Sequence, residues 1–431
     1  MRGAFAPRIS FLFYNREKLR SLAMLDDVKR FDMTVKPQRM HLRPLIWTLC
    51  APDLIKHRNH LTRIGMEGIK PPYLLLCNHN AFMDFKVSTR ATFPHRVNYV
   101  VAIDGFLKRE WLLRFIGCIC KRKFTNDIVL IRQLKRVVDA GDIAAVYPEA
   151  RYSLCGTTAV LPDSLGQLAK FLKVPVVTLI CHGHHVNSPF FNLPDHNVKG
   201  TEAVMKCLYT ADQVNELSAE EIFRGIQEEF RYDDYSWQKE KGIKIRYKGR
   251  ANGLHKVLYQ CPHCGTEYRM SSSGTVLRCD ACGKEWNVTE LGELEAAEGE
   301  TEFSHIPDWY EWERLNVRKE VNDGTYSFTC KARVDALPNA DGYIDLGEAE
   351  LTHDMNGFRL KGNYKGEEYE QEWPVRALYS CHIEYEYLGK YGDCVDLNTL
   401  TDTFYIYPKD CLFSVTKMAL ATEELYYKDY T

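Results

Sequence analysis

Four short apolar runs stand out between residues 70 and 185: Tyr73–Cys77 (YLLLC), Val97–Ile103 (VNYVVAI), Ile143–Tyr147 (IAAVY) and Val176–Cys181 (VVTLIC). Runs of this length without polar alternation suit strands buried on both faces of a parallel sheet. Pro148 and Pro175 fall at their edges, where a missing N–H does little harm. Between the runs, Leu107–Ile116, Asp127–Ala140 and Ser164–Leu172 carry helical spacing. The alternation predicts an α/β layer with a mostly parallel sheet flanked by helices. Beyond residue 200, Ser218–Glu240 reads as one polar helix, with Ser218 as N-cap and Glu221 three residues on completing a capping box. A further helix is expected at about Asp308–Val321.

The pattern changes after residue 325. Seven strand-like segments (TYSFTCKARV, YIDLGEAELTH, GFRLKGNY, YEQEWPV, CHIEYEY, DCVDLN and TFYIYP) are punctuated by Asp323-Gly324, Asp341-Gly342 and Asn356-Gly357. Such dipeptides at this spacing predict antiparallel hairpins. A last helix, Ser414–Tyr427, closes the chain. Seven strands capped by a helix resemble the pleckstrin-homology and GRAM-type barrel; an unrelated antiparallel sandwich would share the pattern.

These textures divide the chain into a basic, helical N-terminal segment (1–69), an α/β domain (70–245), a cysteine-bearing module (250–295), a helical linker (300–324) and a β domain (325–431). In the first segment, Leu42–Cys50 sets a Trp and several aliphatics beside the basic tail Lys56, His57, Arg58 and His60, which fits either an interfacial helix or an ordinary packed one. Net charge is −2, but residues 1–136 hold 26 Lys and Arg against 10 Asp and Glu, leaving 30 against 48 for the remainder. A basic face at one end suits phosphate, nucleic acid or anionic lipid. No stretch approaches the ~18 consecutive apolar residues of a spanning helix. The first twenty residues interleave charge with a short apolar run and lack a small-residue cleavage site, so they make a poor signal peptide. Fifteen cysteines, an odd number in a chain of 431, point to a reducing compartment. The expected location is cytoplasmic, with peripheral attachment to a membrane surface.

Cys261-Pro262-His263-Cys264-Gly265 and Cys279-Asp280-Ala281-Cys282-Gly283 are two C-x-x-C-G knuckles separated by 14 residues. Each puts two thiolates on one tight turn, so Cys261, Cys264, Cys279 and Cys282 supply four ligands for tetrahedral Zn²⁺ with no open position. That makes a structural zinc ribbon, with iron in a rubredoxin-like site as the alternative. The basic residues around it (Lys256, Arg269, Arg278, Lys284) are offset by Glu267, Asp280, Glu285 and Glu290. A spacer or docking role is therefore expected, and no nucleic-acid partner.

Directly after the first apolar run comes Asn78-His79-Asn80-Ala81-Phe82-Met83-Asp84. Positions five apart on a regular helix lie about 140° around the axis and do not face each other. At a strand–turn–helix junction they can, and a carboxylate on one imidazole nitrogen sets the tautomer and raises the basicity of the other. A core histidine beside a capping asparagine is the structural alternative. N-H-x-x-x-x-D after an apolar strand resembles the first motif of the glycerolipid acyltransferases, the 1-acyl-glycerol-3-phosphate acyltransferase family. Gly117-Cys118-Ile119-Cys120-Lys121-Arg122-Lys123 is loosely similar to the family's G-x-I-F-I-x-R block, with the arginine at Lys123 or Arg122. Tyr147-Pro148-Glu149-Ala150-Arg151-Tyr152-Ser153 resembles F-P-E-G-T-R-S, with Ala150 for glycine and the arginine moved to Arg151. Val174-Pro175-Val176-Val177-Thr178 resembles V-P-x-x-P, with Thr178 in place of the second proline. The resemblance spans about residues 70–185.

That resemblance implies an O-acyltransferase. His79 would take the proton of an acceptor hydroxyl as it attacks the thioester of acyl-CoA or acyl carrier protein, and Asp84 would orient His79. Asn78 would join the substrate-binding set. Lys121, Arg122, Lys123 and Arg151 would hold the acceptor phosphate of a lysophospholipid. Glu149 would bind a glycerol hydroxyl or anchor Arg151. His182-Gly183-His184-His185, just after the fourth motif, reads as acceptor contact or plain loop ahead of a second metal site. The implied product is phosphatidic acid from 1-acyl-sn-glycerol-3-phosphate, made at an anionic membrane surface. A nucleic-acid-associated zinc-ribbon protein and a non-catalytic lipid-binding scaffold are the competing classes.

Overall fold

A computed structural model describes Leu25 and residues 28–428. The leader reading of the first twenty residues lies outside that range. Seven strands form the first sheet: β1 (His60–Ile64), β2 (Leu74–Cys77), β3 (Val97–Ala102), β4 (Ile119–Lys121), β5 (Ile143–Val146), β6 (Val176–His182) and β7 (Glu202–Tyr209). Their order is β1-β7-β6-β2-β5-β3-β4. Every pairing is parallel except β6 with β7. β2 is buried at all four positions because β5 and β6 flank it and helices cover both faces. That burial is why its run shows no polar alternation.

Helices Ile128–Asp139 and Ser164–Leu172 fall where the spacing placed them, the first capped by Asp127, whose carboxylate accepts from the Leu130 N–H. The capping box of Ser218 and Glu221 forms. Ser218–Glu240, read as one helix, is two, Ala219–Glu229 and Asp234–Glu240. Asp233 ends the first by becoming the N-cap of the second, accepting from the Tyr235 and Ser236 N–H groups. Leu107–Ile116 shortens to Glu110–Phe115 behind a separate turn of helix, Ile103–Phe106.

The sheet domain begins earlier than residue 70. β1 pairs with β7 as its edge strand, and helix Leu42–Lys56 packs on helix Met83–Thr92. Arg43, fully buried, ties the two helices by donating to Thr89 O and Thr92 Oγ1. Residues 42–64, expected in a separate basic segment, are therefore part of the sheet layer.

The cysteine module contributes a four-stranded antiparallel sheet of β8 (Met270–Ser273), β9 (Val276–Cys279), β10 (Glu285–Val288) and β11 (Leu294–Ala296). The helix expected to be a linker, Ile306–Asn322, is instead a packed element. Its Trp309 lies edge-on to Trp286 of the cysteine module, ring centroids 5.0 Å apart, and donates to Gln260 O. The C-terminal domain has β12 (Ser327–Ala336), β13 (Ile344–Asp354), β14 (Gly357–Tyr364), β15 (Glu367–Pro374), β16 (His382–Glu384), β17 (Cys394–Asn398) and β18 (Thr403–Lys409). They run antiparallel in the order β15-β14-β13-β12-β18-β17-β16. The terminal helix, Val415–Lys428, is buried from Val415 through Leu425. One apolar core runs through the cysteine module, helix Ile306–Asn322 and this domain. Among the described residues no helix is long and apolar enough to cross a membrane.

Candidate active site

β2 ends at Cys77, and the chain turns through Asn78–Phe82 into helix Met83–Thr92, so Asp84 sits in the first helical turn. Its Oδ2 accepts the N–H groups of Asn80 (2.6 Å) and Ala81 (2.9 Å) and lies 3.3 Å from His79 Nδ1. Two backbone donors thus lock the carboxylate so that it reaches the histidine five residues back. Asp84 is fully buried, whereas the His79 side chain is 24% exposed. Burial alone would raise the Asp84 carboxyl, but hydrogen bonds from His184 and His79 outweigh it and hold it at about 2. The carboxylate is charged across the physiological range, and the other ring nitrogen of His79 is left to accept a proton.

The loop after β5 builds the rest. The His79 ring lies between Tyr147 and Tyr152, centroids 4.3 and 4.4 Å away. Glu149 is fully buried and accepts the His79 backbone N–H at 3.0 Å, the Ala159 N–H at 2.8 Å and the Tyr232 hydroxyl at 3.2 Å. Ser153 N–H donates to His79 O at 2.9 Å, so both backbone groups of His79 are tied to this loop. Burial pushes Glu149 up to about 8, against the lowering pull of the Ala159 and His79 N–H groups. Its role is to brace the histidine turn; it touches neither Arg151 nor open space, contrary to both expected roles. Ala150, where the family motif has glycine, takes φ 56°. That left-handed conformation is one an alanine rarely adopts, which accounts for the glycine in the motif.

The remaining expected substrate ligands are engaged elsewhere. Asn78 is fully buried, its amide donating to Cys181 O and accepting from Cys181 N–H, which rivets the end of β2 to β6. Arg122 is buried and donates to Leu337 O, Pro338 O and Thr403 Oγ1 of the C-terminal domain. Lys123 Nζ lies 3.2 Å from both Asp104 and Asp396. Burial would lower its ammonium, but those two carboxylates raise it overall. Arg151 is buried against Glu423, Ser380 and Cys381 O. Lys121 donates to Thr125 O, and burial pulls its ammonium down with Asp127 opposing. These cations, expected at an acceptor phosphate, hold the C-terminal domain and a local turn instead. For Arg122, Lys123 and Arg151 the partners Leu337 O, Pro338 O, Thr403, Asp396 and Glu423 arrive from more than 200 residues downstream, whereas Lys121 meets Thr125 O four positions on.

In the histidine tract, His182 is partly exposed near Asp234, His185 N–H donates to Asp234 Oδ2, and His184 Nδ1 meets Asp84 Oδ1 at 2.5 Å. Sequence reasoning missed Tyr232 and gave Tyr147 and Tyr152 no role although both stand in the Tyr147–Ser153 motif; His184, read there as acceptor contact or plain loop, is a partner of Asp84. Asp84, His184 and Cys181 bring one ligand atom each within 4.8 Å. Burial raises the Cys181 thiol well above its ordinary value, and the Asp84 charge adds to this.

The four cysteines of the C-x-x-C pairs make a different arrangement. Sγ atoms of Cys261, Cys264, Cys279 and Cys282 all lie within 4.8 Å of one another, with Cys261–Cys282 and Cys264–Cys279 each at 3.8 Å. A tetrahedron of thiolates at ~2.3 Å from a metal has edges of about 3.8 Å, so this set can hold one ion.

No curated protein matches the chain. Among solved structures, the crystal structure of the 1-acyl-sn-glycerophosphate (LPA) acyltransferase PlsC from Thermotoga maritima is similar at 16% identity and a TM-score of 0.34, covering 45% of this chain and 82% of that one. The segment that carries His79, Asp84, Glu149 and Arg151, residues 55–182, matches the family model described as Acyltransferase.

Proposed function

We propose that the protein transfers a fatty acyl group from acyl-CoA or acyl carrier protein to the free hydroxyl of a lysophospholipid, 1-acyl-sn-glycerol-3-phosphate, to give phosphatidic acid. The observation that carries this reading is the pairing of a half-open His79 with a buried, charged Asp84 inside the segment that matches the acyltransferase model. His79 takes the acceptor hydroxyl proton while that oxygen forms a bond to the thioester carbonyl carbon. Collapse of the tetrahedral intermediate breaks the carbon–sulfur bond, and the departing thiolate takes the proton back from the imidazolium. Asp84 holds the ring and stabilises its transient charge. The alcohol is the nucleophile, so no covalent enzyme intermediate is needed.

Zinc in the four-cysteine cluster is the second part of the reading, supported by the sulfur spacing and by the lack of any open ligand position. The C-terminal domain is read as pleckstrin-homology or GRAM-like, supported by its seven antiparallel strands and terminal helix. Peripheral attachment at the cytoplasmic face is supported by the basic N-terminal portion and by an apolar outer face on helix Leu42–Lys56. There Leu49 and Ile55 are 70% and 75% exposed and Trp47 leans on exposed Phe93. Phe82, at the His79 turn itself, is 63% exposed. An apolar rim of this kind suits a lipid acceptor that stays partly in its bilayer.

The test is to incubate the purified full chain with acyl-CoA or acyl carrier protein thioester and a panel of lysolipids, and to identify products by mass. Phosphatidic acid from lysophosphatidic acid is the expected product. Hydrolysis only, or no transfer to any acceptor, would overturn the reading.

A further inference from the structure

Asp84 has two carboxylate oxygens, and His79 faces only one of them. The second, Oδ1, is met at 2.5 Å by Nδ1 of His184, a residue exactly a hundred positions downstream, on the turn that follows β6. The His184 side chain is fully buried, and its Nε2 has no hydrogen-bond partner. Gly183 makes the approach possible: it sits at φ +83°, and a Cβ there would fall 2.6 Å from the Trp237 ring. A fully buried imidazole with one nitrogen unsatisfied is costly, so its other nitrogen must contribute something the fold retains.

We propose that His184 is a positioning residue of the active site: it holds one oxygen of Asp84 so that the other faces His79, and it takes a share of the carboxylate charge that would otherwise act on His79 alone. The proposal rests on reading His79 as the general base. A carboxylate shared between two imidazoles keeps its plane fixed from both sides, while a carboxylate bound on one side could swing about its side-chain bond. Sharing also weakens the pull of Asp84 on the His79 proton, which keeps His79 free to give that proton up in the second half of the cycle.

Other titratable groups feel the same carboxylate and must be separated from the effect. Cys77 of β2, Cys181 of β6, Tyr147 and Tyr152 of the loop after β5, and Tyr232 are all coupled to Asp84, and burial raises each of them, so they stay neutral. Asp234 is coupled in turn to Cys181 and Tyr232. Glu149, pushed up to about 8, is the neighbour that titrates near neutrality, so a residue-specific signal is needed beside the kinetics.

The experiment compares the full-length protein with His184→Leu, which keeps bulk and loses the donor, and with His184→Asn, whose side-chain amide places a donor near the former Nδ1. Thermal unfolding first establishes which variants fold; His184→Ala replaces His184→Leu if the latter does not. In acyl transfer, His184→Leu is expected to lose about 10- to 100-fold in kcat with KM for the thioester within twofold, and His184→Asn to recover most of that loss. The acid limb of kcat/KM, and the pH at which the ring signal of ¹³C-labelled His79 titrates, are both expected to move upward in His184→Leu, because the Asp84 charge then acts on His79 alone. A merely structural histidine would lower the folded fraction and leave both unmoved. Wild-type protein must also show a slowly exchanging low-field imidazole proton that His184→Asn lacks, a measurement that needs neither activity nor the harsher variants. A folded His184→Leu with wild-type kcat and an unshifted His79 titration would overturn the proposal, as would absence of that proton signal. If instead no lysolipid is acylated by the wild type, the functional reading falls, and the His79 titration and the proton signal still decide the role of His184.

Discussion

Arg151 and Glu423 lie 272 positions apart in sequence and 2.7 Å apart in space, both buried. Ser380 Oγ donates to the same carboxylate oxygen at 2.7 Å, and Arg314 holds the other at 2.6 Å. A guanidinium on the loop that braces His79 is thus neutralised by the last helix of the chain. Arg122 and Lys123 repeat the pattern, through Thr403 and Asp396. The C-terminal domain is tied to the segment that matches the acyltransferase model by the cations that the motifs offer.

Glu423→Ala should therefore act on stability. Burial opposes ionisation of Glu423, but Arg151 and Arg314 outweigh it and hold its carboxyl below the ordinary value. Removing the carboxylate leaves the buried Arg151 guanidinium without its counter-charge, while Arg314 keeps Glu311 and Glu424, at a cost of about 3–5 kcal/mol. Urea unfolding followed by tryptophan fluorescence checks this. Because the native carboxyl is depressed, its contribution is present above the ordinary carboxyl value and fades as pH falls through the native one. Wild type and variant should accordingly converge in strong acid.

Lys123→Met is expected to reduce stability more than acceptor affinity, since its ammonium serves Asp104 and Asp396. The contrary result, a raised KM for lysophosphatidic acid with unchanged unfolding, would restore the phosphate role that its motif position suggests.

Asp84→Asn should lower turnover per folded molecule by about 10²–10⁴, the range that positioned proton transfer contributes. His79→Ala should do the same. Lysolipid binding, measured by equilibrium titration, should stay near wild type in both. Undiminished turnover in His79→Ala would eliminate the mechanism.

One zinc ion per chain is expected by elemental analysis of protein from zinc-replete growth. It should be lost when Cys261 and Cys279 are both replaced by serine. The ribbon shares an apolar core with Trp309 and the C-terminal domain, so metal loss should lower the unfolding temperature of the whole assembly and not of the ribbon alone.

His353 offers a pH test remote from the site. It is stacked on Phe358 with centroids 3.6 Å apart and hydrogen-bonded to the Tyr326 hydroxyl, and burial pulls its imidazole down to about 3. The unfolded chain then takes up a proton near 6.5 that the native state refuses. Stability should fall by about 1.4 kcal/mol per pH unit from roughly 6.5 down to about 3 on this account. His353→Phe should flatten that part of the stability profile.

What the sequence by itself determined is local. The buried runs of β2, β3, β5 and β6, the Ser218–Glu221 cap, the seven C-terminal strands, the two C-x-x-C pairs and the reach of Asp84 back to His79 are each written in residues that stand within a few positions of one another. Backbone hydrogen bonding and the two periodicities act over that range, and the residue types record them. Tertiary structure alone decided the partners of Asn78, Arg122, Lys123, Glu149 and Arg151, the joining of β1 to β7, and the approach of His184 to Asp84. An arginine looks the same in sequence whether it meets water, a phosphate or a buried glutamate 272 positions away. Its role is set by which acceptor the packed core leaves beside it, and that depends on how the sheet layer, the ribbon and the C-terminal domain close on one another.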